Sequence, residues 1–86
     1  MKELRRFWFR FEGLSRPSAL GLGCGVTALD KADALSLLRE RVFAGSPLPA
    51  ISECVEDVDL STLDTRHVLP NVGDVTGRGI WFPQGH

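Results

Sequence analysis

Leu4-Arg5-Arg6-Phe7-Trp8-Phe9-Arg10-Phe11 alternates with a period of two. Phe7, Phe9 and Phe11 share one face of such a segment, and Arg6, Trp8 and Arg10 share the other. That is the pattern of a half-buried strand. Residues 19–27, Ala-Leu-Gly-Leu-Gly-Cys-Gly-Val-Thr, alternate more strictly still. Leu20, Leu22, Cys24 and Val26 make an apolar face, while Gly21, Gly23 and Gly25 leave the opposite face bare. Glycine in a strand costs entropy and packs nothing, so the stripe predicts the close approach of a large side chain, Trp8 or Trp81. Residues 12–18, with Gly13 and Pro17, read as the turn between the two strands, and so short a connection predicts an antiparallel pair.

Beyond the second strand the period changes to that of a helix. Ala34, Leu35, Leu38 and Val42 repeat at helical spacing, with Leu37 on the flank, over a span of about 30–44. Thr27 or Asp30 is the N-cap, Asp33 suits the positive end of the dipole, and Gly45 and Pro47 stop the helix. Residues 50–59 suggest a third strand with Ile51, Val55 and Val58 spaced for burial, and a bulge near Asp57 would repair its imperfect alternation. Ser61-Thr-Leu-Asp64 has the form of a capping box, residues 65–78 form a long loop, and Gly79-Ile-Trp-Phe82 closes the sheet before Pro83. The fold expected is α+β: a small antiparallel sheet of about four strands with one helix packed on one face, in the order β-β-α-β-β. The expected core is Phe7, Phe9, Phe11, Leu20, Leu22, Val26, Leu35, Leu38, Val42 and Val55. One helix covers one face of such a sheet. The other face must be polar, covered by the loop, or covered by another molecule.

Eighty-six residues correspond to a single domain over 1–86, and 43% apolar with 24% charged residues argues against disorder. The net charge of −1 gives no global field toward nucleic acid or anionic lipid. Bases cluster in residues 1–16 and acids in residues 53–64, as neighbouring strands of complementary charge would carry them. Two cysteines, Cys24 and Cys54, are too few for a disulfide scaffold. With no apolar run of signal-peptide or membrane-spanning length, the expectation is a cytoplasmic protein with reduced thiols and no membrane association.

Chemistry is sparse. Gly21-x-Gly23-x-Gly25 lies inside an apolar alternation, whereas a phosphate-binding fingerprint needs its glycines in the turn that opens a helix. Cys24, Cys54, His67 and His86 show no metal-ligand spacing, so neither metal nor cofactor is expected. Asp64, Arg66, His67 and Asn71 crowd one loop, where Asp64, His67 and a hydroxyl would suffice for a weak hydrolase-like relay. The plainer alternative has Asp64 capping a turn. Asp57 and Asp59, one residue apart, would share a strand face. Arg6, Trp8 and Arg10 would suit single-stranded nucleic acid through stacking and guanidinium contacts. The same residues, with Trp81, are also the types that dominate protein interfaces. The leading expectation is a non-enzymatic protein-interaction module acting through the sheet face or edge opposite the helix. It would serve as a homodimer or as an inhibitor or immunity-type protein. Nucleic-acid binding is the second reading, and an enzyme around Asp64 and His67 the third.

Overall fold

The alternation of the first strand survives folding intact: Arg5–Phe11 forms β1, with Phe7 and Phe9 on one side of the sheet and Trp8 on the other. The computed structural model describes residues 3–12, 22–44 and 46–83. Within them β2 (Cys24–Ala28), β3 (Ile51–Glu56) and β4 (Gly79–Phe82) complete an antiparallel sheet in the order β3-β1-β2-β4. One helix, α1 (Lys31–Leu37), lies between β2 and β3 in the chain, so the molecule is a small α+β fold. The basic first strand does neighbour the acidic third.

Asp30 is the N-cap of α1, its carboxylate accepting from the Asp33 backbone N–H at 2.8 Å. Asp33 answers by accepting from the Leu29 N–H at 3.0 Å, so the two acids satisfy amides at the positive end of the helix. Thr27 is not a cap; it sits inside β2. The helix continues through a wider turn at Leu38–Val42, where the Phe43 N–H reaches back five residues to the Leu38 carbonyl. It therefore ends two residues short of the expected 44, and Gly45 lies outside the described residues.

The core beneath the helix joins Phe7, Phe9, Cys24, Val26 and Ala28 of the sheet to Ala34, Leu37, Leu38 and Phe43. Phe11, Leu35 and Val42 pack at its margin. Leu37, placed on the flank by its spacing, is in fact central, because Ala34, Leu37 and Leu38 form the i, i+3, i+4 face that meets the sheet. Leu22 is a second correction, 36% exposed instead of buried. Gly23, at φ +126°, breaks the alternation, so the strand starts at Cys24 and Leu22 leaves the face it was expected to share. Leu20 and Gly21 lie outside the described residues.

The opposite face is covered too. Residues 57–78 fold over it and build a second core from Trp8, Val58, Val68, Trp81 and Phe82, edged by Val55, Leu60, Leu63, Val72 and Val75. A bulge makes this possible. The pairing runs Gly25 to Phe82 and then Val26 to Ile80, leaving Trp81 as the extra residue. The displaced register puts both Trp81 and Phe82 into the same core, which regular alternation would forbid. The two described glycines of the stripe, Gly23 and Gly25, are thereby accounted for. Trp8 lies over Gly23 and Trp81 over Gly25, each so close that a Cβ at the glycine would overlap the indole.

The third strand corrects one further expectation. Its irregularity falls at Ser52, between the pairs Arg10–Glu53 and Phe11–Ile51, and not at Asp57. Asp57 instead follows the strand in the left-handed region, at φ +54°.

Candidate functional site

The sheet has two edges of different character. The Trp81 carbonyl on β4 accepts from the Gly73 N–H at 2.8 Å, and the Val75 carbonyl accepts from the Thr27 hydroxyl at 2.7 Å. The covering segment thus runs along that side. β3 pairs with β1 on one side, and among the described residues nothing hydrogen-bonds to the backbone of its outer side. Next to β3, on the face away from the helix, lies a groove of about 320 Å³. Its floor is Trp8, Leu22, Val55, Val58, Leu63 and Val68; Arg10, Glu53, Thr62 and Asp64 supply its polar lining.

The expected site residues divide around this groove. Trp8, Arg10 and Asp64 line it. Trp8 contributes only an edge, being 5% exposed and packed against Trp81 and Phe82 at ring-centroid distances of 5.9 and 5.5 Å. It therefore offers no stacking platform for a base. Trp81 is 1% exposed and belongs to the interior, where its indole N–H finds no acceptor among the described residues. Arg6 stays exposed and makes one long contact, 3.4 Å, from Nε to the Val58 carbonyl.

Asp57 and Asp59 do not share a strand face, because the left-handed turn at Asp57 separates them. Asp57 takes both hydrogen bonds of the Arg5 guanidinium, one at 2.9 Å, and that hydrogen bonding lowers its pKa. Arg5, which the sequence did not single out, is thus the base that pairs with the acidic segment. Its position directly beside the end of β3 was legible only with the strand order. Asp59 caps the short helical turn Leu60–Thr62 by accepting from the Ser61 hydroxyl and amide, which lowers its pKa as well. The cap is therefore Asp59 and not Ser61, since the first amides of the turn point at the carboxylate that precedes it.

Asp64 caps the next turn, accepting from the Arg66 and His67 amides at 2.7 and 2.8 Å. These bonds, that from His67 foremost, hold its carboxyl below the usual range. His67 Nδ1 stands 3.3 Å from the same carboxylate with its side chain 65% exposed, and Asn71 donates to the His67 carbonyl at 3.0 Å. Arg66 is exposed. Among the described residues no hydroxyl or thiol completes a relay through His67, and His67 does not line the groove.

The cysteines are both free. Burial pushes the Cys24 thiol up to about 12, and desolvation, as the leading cause, raises Cys54 as well. Neither is an activated nucleophile. Among the described residues no three metal-ligating side chains converge, and no helix is long and apolar enough to cross a membrane.

What the arrangement offers is an open strand edge beside a shallow apolar groove with a charged rim. Comparison with protein-family models, curated proteins and solved structures gives no match to this chain.

Proposed function

We propose that this chain is a non-enzymatic protein-interaction module that works through the outer edge of β3 and the groove beside it. The observation that carries the reading is the outer side of β3, whose backbone has no hydrogen-bond partner among the described residues. A six-residue strand with exposed N–H and C=O groups is a template for another strand, and natural folds usually cover or blunt such an edge. Main-chain pairing would supply affinity and the groove would select a side chain. An inhibitor or immunity-type protein is one form of this reading, with an enzyme as its partner. The two free thiols suit a reducing, cytoplasmic setting.

The test uses Ser52→Pro. Ser52 is the unpaired residue of the bulge, so proline there spares the ladder to β1 while obstructing the outer edge. Partners retained by the immobilised wild-type protein should be lost from the variant, whose circular dichroism should be unchanged. Equal retention by both proteins would contradict an edge-mediated interaction.

A further inference from the structure

The seam has a distinct chemistry. β3 carries Glu53 on the groove face, opposite Arg10, and Glu56 on the helix face, opposite Phe7. Both are exposed. Among the described residues Glu53 makes no ion pair. Glu56 reaches only Arg5, at 3.9 Å, and Arg5 is engaged more closely by Asp57. The groove sets two carboxylates, Glu53 and Asp64, against one guanidinium, Arg10. Ile51–Glu56 contains no lysine, arginine or proline, the residues that commonly guard an exposed edge. A second copy of β3 would bring the same two glutamates to the seam, and like charges opposed across a strand pair are unfavourable. A strand of opposite charge meets no such penalty.

Resting on the interaction reading above, we infer that the occupant of this seam is an extended basic segment of a protein partner. It adds to β3 as a further strand and sets lysine or arginine side chains against Glu53 and Glu56. The spacing follows from the pleat. Glu53 and Glu56 stand three residues apart and so face opposite sides, which requires the partner's two basic residues to be three apart as well. Val55 shares the groove face with Glu53. An antiparallel partner therefore reads basic, apolar, any residue, basic, with the apolar side chain entering the groove beside Val55 and Leu63.

The probe is the capped heptapeptide Thr-Lys-Val-Thr-Lys-Val-Thr, with a counterpart carrying glutamate at both lysine positions. Each is titrated into the full chain at low salt and followed by amide NMR. The lysine peptide should shift the amides of Ile51–Glu56 and bind about tenfold or more tightly than the glutamate peptide, and Glu53→Gln with Glu56→Gln should remove most of that preference. Equal binding of the two peptides, or no shift in β3, would overturn the inference. A concentration-dependent dimer that protects the β3 amides would also overturn it while leaving the edge-interaction reading intact. Failure of the Ser52→Pro test would count against that reading itself.

Discussion

Gly25 shows most sharply what single residues decide here. A Cβ at this position would fall within 2.5 Å of the Trp81 ring carbon Cε3, on a side chain that is 1% exposed. Gly25→Ala should destabilise the protein by about 2–3 kcal/mol, seen as a fall of about 10–20 °C in the thermal midpoint. Gly77→Ala is the matched control. Its nearest neighbour would be Asp74 Oδ2 at 3.7 Å, and it should change stability by less than about 0.5 kcal/mol. The need for an indole over the glycine stripe was legible in the sequence, because three glycines in one face require a cause. Which tryptophan covers which glycine was not, since that depends on a bulge in β4 that leaves no mark in the composition of Gly79-Ile-Trp-Phe82. Cys24 gives a second expectation at this scale. With its thiol raised to about 12 by burial, it should resist alkylation at pH 8 in the native protein and react only on unfolding. Mass spectrometry after brief iodoacetamide treatment checks this; prompt native labelling of Cys24 would contradict the buried position.

The element that matters most is the covering segment 57–78. From sequence, residues 57–59 read as the end of a strand, Ser61–Asp64 as a capping box and only 65–78 as a loop, and the strand order alone shows what the segment lies upon. It is held by particular polar contacts. Thr27, 2% exposed in β2, donates to Val75, and Arg78 grips Asp33 at the helix start with Nε 2.8 Å from Oδ2. Thr27→Val keeps the shape and deletes the donor, leaving the Val75 carbonyl without it. Urea denaturation should show a loss of about 1–2 kcal/mol. The segment also carries Asp57, Asp59, Asp64 and Asp74, whose pKa values are all lowered by hydrogen bonds, from Arg5, Ser61, the His67 and Arg66 amides, and Thr76 respectively. Each contributes stability that is fully present above the unfolded carboxylate range and is lost as pH falls through its lower folded value. Tryptophan emission should therefore hold constant down to about pH 4 and shift to the red below it, as the segment lifts from Trp8 and Trp81. A transition centred near pH 6 would contradict this assignment.

At the scale of the whole molecule, the described residues build one core on each face of the sheet and leave the outer edge of β3 open. The helix-side core was legible because Phe7, Phe9, Val26 and Leu38 obey simple periods. The proposed interaction site was only half legible: Trp8 and Trp81 have the composition of an interface yet are interior, while β3, whose alternation is imperfect, is the strand at the open edge. Nucleic-acid binding through Arg6, Trp8 and Arg10 loses its stacking surface in this arrangement, so titration with single-stranded oligonucleotides should give no salt-dependent quenching of tryptophan emission. The most direct test of the account is residue-resolved amide hydrogen exchange on the isolated chain. An open edge requires that Phe7–Phe9, flanked by strands on both sides, exchange slowly, and that β3 alternate between slow amides bonded to β1 and fast amides facing outward. Uniformly slow exchange from Ile51 to Glu56 would mean that the edge is already covered, and would contradict the interaction seam on which the account rests.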